Sequence, residues 1–527
     1  MSRKDFLRLG LAGGVALFVP AGAVACGSGV LPSGGGNNSA QGSAGTVLRS
    51  GLELPKPFQV PLPIPPVLKP VRRTGDADHY EITQRVAKAE ILPGVTTEVW
   101  GYDGIFPGPT VESRRGRRTV VRHRNELGVP TVVHLHGGRT PAEHDGYPTD
   151  MIAPVSGWDD DHAHGGALAR GAKTYEYPLD QPAATLWYHD HRMDFTGPAV
   201  YRGLAGFHLV RDDEEEALDL PAGERDVPLM ITDRSFTEDG AFHYPSRTPS
   251  LRGQPGVEDD YMSGVLGDCV LVNGAPWPVL EVTATRYRFR LLNASNARRY
   301  RLALDPPPPG GTSFVQIGSD LGLLARPVRH ERIDIAQAER FDVVVDFSRY
   351  RVGEQVTLVN ELGDDGTAQV MRFVVTRRAA DDSRVPDRLA DVRPLTRSDA
   401  TVTRELTFQR GGAEAHGMTL WTVNGKPFDP NRVDARPALG SVELWKIRTL
   451  NVEHPIHVHL AEGQVLSKGQ NGRPGPYDAG RKDTVNLDNG GQAEILLRFD
   501  GYRGKYVFHC HNLEHEDMMM MSNFEVV

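Results

Sequence analysis

The chain has 527 residues, 39% of them hydrophobic and 24% charged, with 57 Gly and 39 Pro. That length exceeds one ordinary core and predicts about three domains, and the composition excludes collagenous, disordered and membrane-embedded classes. With 59 Lys and Arg against 68 Asp and Glu, the net charge is −9, which disfavours nucleic acid or an anionic membrane as the main partner because both repel an acidic surface.

The amino end reads as an export signal. Ser2 to Arg8 is a charged head, and Leu9 to Ala25 is a Gly- and Ala-rich apolar stretch too short for a membrane span. The head resembles a twin-arginine signal, with Lys4 where the second arginine stands, and this predicts an exported protein: extracellular, cell-surface or periplasmic. Ala23-Val24-Ala25 is a small-x-small cleavage site, and Cys26 after it admits a lipid anchor. Residues 27 to 48 are read as a flexible leader, so that signal and leader together occupy 1–48. Of the three cysteines, Cys26, Cys269 and Cys510, Cys269 sits in an apolar run and is read as a buried thiol.

Beyond a Pro-rich stretch from Leu54 to Pro70, short Val, Thr, Tyr and Phe runs alternate with Gly, Pro, Asn and Asp. This predicts β-sandwiches. An acidic connector at Asp212 to Glu216 and a polar one at Arg377 to Arg397 divide the chain into domains at 49–212, 213–380 and 381–527.

An internal repeat relates the first and third domains. His134-Leu135-His136 recurs as His457-Val458-His459, and His189-Asp190-His191 as His509-Cys510-His511, at offsets of 323 and 320 residues. The middle domain has no such pair and is read as a spacer without copper. In an extended strand residues i and i+2 share a face, so each pair presents two imidazoles together. Cys510 then faces away from its flanking histidines, as does His454 relative to His457.

Cys510, His454 and His515, with a thioether from Met518 to Met521, make the soft ligand set of a blue-copper electron-transfer site. The eight paired imidazoles suit three coppers: two ligands for one ion and three for each member of a bridged pair. Zinc would leave these eight histidines unexplained. Asp190 replaces Cys510 in the first copy, so only the third domain makes the blue site, and the cluster must lie where domains 1 and 3 meet.

With Val99 to Gly104, Phe106 to Thr110, His134 to Gly138, Leu186 to His191, Ile231 to Arg234, Tyr287 to Arg290, Asn293 to Asn296, Gln316 to Asp320, His454 to His459 and His509 to Met521, the chain resembles a three-domain multicopper oxidase of the laccase type, similar to the spore-coat laccase, bilirubin oxidase and phenoxazinone synthase branch. The resemblance implies an all-β fold of three consecutive cupredoxin-like Greek-key β-sandwich domains and a cofactor of four copper ions. His454, Cys510, His515 and Met520 would hold the type 1 copper. His134 and His457 would hold the type 2 copper, and His136, His189, His191, His459, His509 and His511 the type 3 pair. It implies oxidation of a small aromatic reductant or metal ion by dioxygen, with electrons passing from Cys510 through its neighbours His509 and His511. Glu516 and Asp145 occupy positions where the family places acids that assist oxygen reduction, and both also suit orientation of imidazoles. Asn512 is shared with the bilirubin oxidases. A monomer is expected. The rival readings are a cuprous-ion oxidase, against which stands the lack of a Met-rich insertion, and a copper-binding cupredoxin protein without turnover.

His162-Ala163-His164 has no counterpart in the third domain and is read as a solvated loop, and Arg114 to Arg118 as a charged surface turn. His79, His123, His144, His208, His243, His330 and His416 stand alone and are read as structural.

Overall fold

The computed structural model describes residues 42–158, 166–415 and 417–527. The export signal, Cys26, His162, His164 and His416 lie outside the described residues. Three β-sandwiches follow one another. The first faces a sheet built on Ala77–Leu92 and Arg118–Asn125 against a four-stranded sheet. The second packs a seven-stranded sheet on a five-stranded one, and the third a five-stranded sheet on a four-stranded one. Each has its own apolar core, centred on Tyr102 and Leu186, on Phe289 and Phe341, and on Trp445 and Phe508. Among the described residues no helix is long and apolar enough to cross a membrane.

Outer strands alternate as expected for a half-buried sheet: Tyr80, Ile82 and Gln84 of Ala77–Leu92 point inward between more exposed neighbours. The strands that carry the paired histidines, or end one residue before the second of a pair, do not. These are β1 (Val133–His136), β2 (Ala184–Asp190), β3 (His454–Val458) and β4 (Gly504–Cys510); every residue of the first three is buried. Their sheets are covered by their own core on one face and by another domain on the other, which removes the polar alternation. Two short helices close the arrangement, α1 (Thr196–Arg202) after β2 and α2 (Leu513–Asp517) after β4. The amides of Thr196 and Gly197 donate to the Asp517 carboxylate at 2.8 Å each, pinning α1 to α2.

The repeat is exact in register. In domain 1, His134 pairs with His189 and Val133 with Asp190; in domain 3, His457 pairs with His509 and Ile456 with Cys510. The His191 amide donates to Val132 at 3.0 Å, and the His511 amide to Pro455 at 2.7 Å, one step further along each ladder.

Two segments differ from the sequence expectation. The leader, expected to be flexible through residue 48, is docked from Gly42 onward: Thr46–Val47 pairs with Val265–Leu266, Leu48 is buried, and Ser43 accepts the Arg299 amide. Its Gly and Ser content masked a strand that needs only backbone groups to pair. The polar connector after Arg377 lies along domain 2, where Leu389 and Ala390 join a core with Leu220 and Ile317, and the first strand of domain 3 begins at Ala400.

The acidic connector is also structural. Asp212 accepts the Glu215 amide at 2.8 Å. Glu215 is buried against Arg288 at 2.9 Å and Arg290 at 3.1 Å, while Asp226 accepts from Arg290 at 2.8 Å and Arg211 at 2.6 Å. Burial pushes both carboxyls up, but the guanidinium groups of Arg288 and Arg290 outweigh it and hold Glu215 and Asp226 far below the usual carboxylate range. A depressed folded value stabilises fully above the unfolded pKa, near 4, and is lost as pH falls through the folded value. Glu215→Gln therefore lowers stability by about 3–5 kcal/mol at neutral pH, because it unpairs buried arginines. Chemical denaturation across pH checks this, the gap from wild type narrowing below about pH 4.

Candidate metal centre

The four buried strands bring the eight paired imidazoles into one chamber between domains 1 and 3. Their ring nitrogens form three groups, each within 4.8 Å: His134, His136 and His457; His136, His189 and His511; and His191, His459 and His509. Each group draws on both domains. A fourth group, His454, Cys510 and His515, lies on the opposite face of the β3–β4 pair, as strand parity requires.

Six of the eight rings are held by the protein through one nitrogen. His134 Nδ1 bonds the Asp145 carbonyl. His457 Nδ1 donates to the Asp483 carbonyl at 2.9 Å, His189 Nδ1 to that of Asp190 at 2.8 Å, and His509 Nδ1 to that of Cys510 at 3.1 Å. His459 Nδ1 donates to the Asp145 carboxylate at 2.6 Å. His136 is turned the other way, its Nε2 lying 3.1 Å from Asp483 Oδ1.

The other nitrogens are left over. His134 Nε2, His136 Nδ1, His189 Nε2, His457 Nε2 and both His511 nitrogens are buried with no hydrogen-bond partner. His509 Nε2 lies 3.3 Å from the Nε2 atoms of both His191 and His459. Two nitrogens sharing a tetrahedral ion at about 2.0 Å would stand about 3.3 Å apart. So many unpaired buried acceptors are costly without a cation. Burial and the neighbouring imidazoles hold down the pKa values of His134, His136, His189, His191, His457, His459 and His511, to about 3 for His189 and about 4 for His191, so these rings are neutral and able to ligate. The chamber fits metal ions.

The fourth group fits a softer one. Cys510 Sγ lies 3.4 Å from His454 Nδ1 and 3.5 Å from His515 Nδ1, and those nitrogens are 3.1 Å apart. The far nitrogens are anchored by backbone, His454 Nε2 on the Leu450 carbonyl at 3.3 Å and His515 Nε2 on the Ser263 carbonyl at 3.2 Å. Burial pushes the thiol pKa up, so the thiolate form needs a cation beside it. Met520 is fully buried in the same core; its amide donates to His515 and its carbonyl accepts from Cys510. Cys269 is a buried free thiol, as read from the sequence.

Both expected acids touch the chamber. Glu516 Oε2 is 3.0 Å from His509 Nδ1 and Oε1 is 3.2 Å from His191 Nδ1, with Thr196 donating at 2.7 Å. Burial raises its pKa, but His191 and His509 outweigh that and bring it to about 2. Asp145 bridges His134 and His459 from domain 1 to domain 3, and burial pushes it well up.

The structure adds residues that the sequence does not single out. Asp483 contacts His136 and His457 and forms a buried pair with Arg340. Trp421 packs on His515 with ring centroids 3.8 Å apart and donates to the Met262 carbonyl at 2.9 Å. Asp190, at the Cys510 register position, accepts the Val132 and Arg192 amides at 3.0 Å each and so serves the backbone.

Comparison with known proteins places this chamber. The profile of the multicopper oxidase family matches residues 84–215 and 397–527, the two lobes that supply the rings. The chain is 39% identical to a laccase of Bacillus stratosphericus over 519 residues, covering 88% of this chain and 98% of that one. It is 36% identical to a bilirubin oxidase of Albifimbria verrucaria over 501 residues, covering 89% and 81%. The crystal structure of a laccase from Pediococcus acidilactici matches with a TM-score of 0.77 at 31% identity, over 91% of this chain and 96% of that one, and its cupredoxin-like β-sandwiches correspond to those described above.

Proposed function

Because the chain belongs to the multicopper oxidase family and is a copper-dependent oxidoreductase that uses dioxygen, we propose that it couples four one-electron oxidations of a phenolic or similar aromatic reductant to reduction of one dioxygen to two waters. The observation that carries this reading is the convergence of unpartnered imidazole nitrogens from domains 1 and 3 beside a separate thiolate group.

His454, Cys510, His515 and Met520 would hold the type 1 copper, His134 and His457 the type 2 copper, and His136, His189, His191, His459, His509 and His511 the type 3 pair, four ions in all. Ions bound there would supply one-electron chemistry at the thiolate site and dioxygen reduction at the cluster. The protein joins the two sites by the shortest route available to it: Cys510 is flanked by His509 and His511, and the His509 ring donates to the Cys510 carbonyl. Ser263 and Trp421 fix the His515 ring on the reductant side. Glu516 and Asp145 hold the outer nitrogens of His191, His509 and His459 and are the carboxylates placed to pass protons at Glu516 Oε1 and Oε2 and at Asp145 Oδ2. Met518 to Met521 are all buried, so they present no thioether surface to a cuprous ion, and this favours an aromatic reductant.

The head, cleavage site and Cys26 support export by the twin-arginine route, with a lipid anchor as a second use of Cys26; the self-contained chamber is consistent with a monomer. Purified holoprotein is expected to contain about four coppers per chain and to consume oxygen with a phenol. Removing copper with a chelator abolishes both oxygen uptake and the intense thiolate absorption, and added copper restores them. A copper-loaded protein that leaves phenols and oxygen unchanged would refute the reading.

A further inference from the structure

Domain 2 supplies none of the ring nitrogens of the chamber, yet one of its side chains reaches the chamber wall. Arg340 has 0% exposure, and each of its five N–H donors is used. Nε donates to the Thr185 carbonyl of domain 1 at 3.0 Å. Nη1 donates to Ala338 O and to Asp483 Oδ1, both at 2.8 Å; Nη2 donates to Asp320 O at 2.9 Å and to Asp483 Oδ2. One guanidinium thus ties all three domains together, and its fork grips Asp483 with two parallel bonds.

Asp483 carries that grip to two rings. Its carboxylate meets His136 Nε2 at 3.1 Å, and its carbonyl accepts His457 Nδ1 at 2.9 Å. Domain 2 fixes the carbonyl as well: Asp320 Oδ2 accepts the amides of Asp483 and Thr484 at 3.3 Å each, and Lys482 Nζ lies 3.2 Å from the same oxygen. Asp320 ends the Gln316 to Asp320 stretch noted in the sequence.

The backbone beside His136 is shaped around this pair. Gly137 has φ +83°, and a Cβ there would lie 2.7 Å from Arg340 Nη2 and 3.0 Å from Asp483 Oδ2. A side chain would push the ion pair away from the ring.

We infer that Arg340 is a positioning residue for the copper cluster, acting through Asp483 to set the orientation of His136, assigned above to the type 3 pair, and of His457, assigned to the type 2 copper. Domain 2 is therefore part of the oxygen-reducing machinery rather than a spacer. The inference rests on the assignment of His457 to the type 2 copper and of His136 to the type 3 pair. Without the guanidinium, Asp483 is a buried carboxylate that has lost its bidentate partner, free to rotate off His136, and partners of this kind are typically worth 10- to 100-fold in metal affinity.

The test compares holoprotein of wild type, Arg340→Met and Arg340→Lys by copper content, thiolate absorption, and the electron paramagnetic resonance signal of the type 2 copper during chelator challenge. Arg340→Met is expected to release copper from the three-ion cluster at about 10- to 100-fold lower chelator concentration, with altered type 2 hyperfine splitting and an unchanged thiolate band. Arg340→Lys keeps the charge and most of the volume but not the fork, and should fall between the two while remaining folded. Either variant retaining all the cluster copper with wild-type splitting and chelator resistance overturns the inference alone. A wild type that binds only the thiolate copper overturns the cluster assignment and the inference with it.

Discussion

Cys510→Ser is expected to abolish the intense thiolate absorption and to reduce phenol-driven oxygen consumption to background, while copper content falls from about four to about three per chain. The hydroxyl is smaller and hard, so the two imidazoles of His454 and His515 are left without the soft anion that selects copper. The loss should exceed the roughly 100-fold that removal of an orienting partner causes, because the sulfur removed is itself a ligand and the point where an electron enters the path to His509 and His511. Copper analysis, absorption spectra and an oxygen electrode decide it. The three chamber groups lie on the other face of the strand and draw no ligand from Cys510, so their copper should persist. A variant that still consumes oxygen at the wild-type rate would refute the proposed electron route.

Glu516→Gln separates the two halves of the reaction. Glu516 offers one oxygen to His191 and Thr196 and the other to His509. An amide keeps one acceptor but sets an NH2 donor against an imidazole N–H, and it neither holds nor passes a proton as a carboxylate does. Steady-state oxygen uptake should fall about 10- to 100-fold, while anaerobic bleaching of the thiolate band by the reductant keeps its wild-type rate. Stopped-flow absorption without oxygen, beside steady-state uptake, reads the two separately. Bleaching that slows as much as uptake would assign Glu516 to holding His509 in the electron path instead of to oxygen chemistry.

The parts of this molecule that were legible in sequence are those governed by short spacing. A two-residue step in a strand fixes which face a side chain takes, so the paired histidines, and Cys510 between two of them, announced two sites on opposite faces. The repeat announced the lobes. Asp483 and Arg340 were illegible because nothing local marks them: Asp483 meets a ring 347 residues away and Arg340 meets Asp483 across 143. Ser263 acts through a carbonyl that every residue has, and Trp421 reads as an ordinary core residue until its ring is found on His515. The leader shows the reverse error. Gly and Ser in residues 42–45 suggested freedom, yet the Gly42 carbonyl accepts from the Arg299 guanidinium, Ser43 Oγ accepts the Arg299 amide, and the Thr46 amide that follows donates to the Gly264 carbonyl.

Each three-ring group of the chamber is divided between strands from opposite halves of the chain. During synthesis, four rings, His134, His136, His189 and His191, exist for the whole interval before His454 is made. An ion captured then would find half a cage and could recruit the wrong nitrogens. Correct loading of the chamber must follow closure of the last lobe on the first, so uptake of its ions is a late event in biogenesis, and the stabilisation they bring is available only to chains that have finished folding.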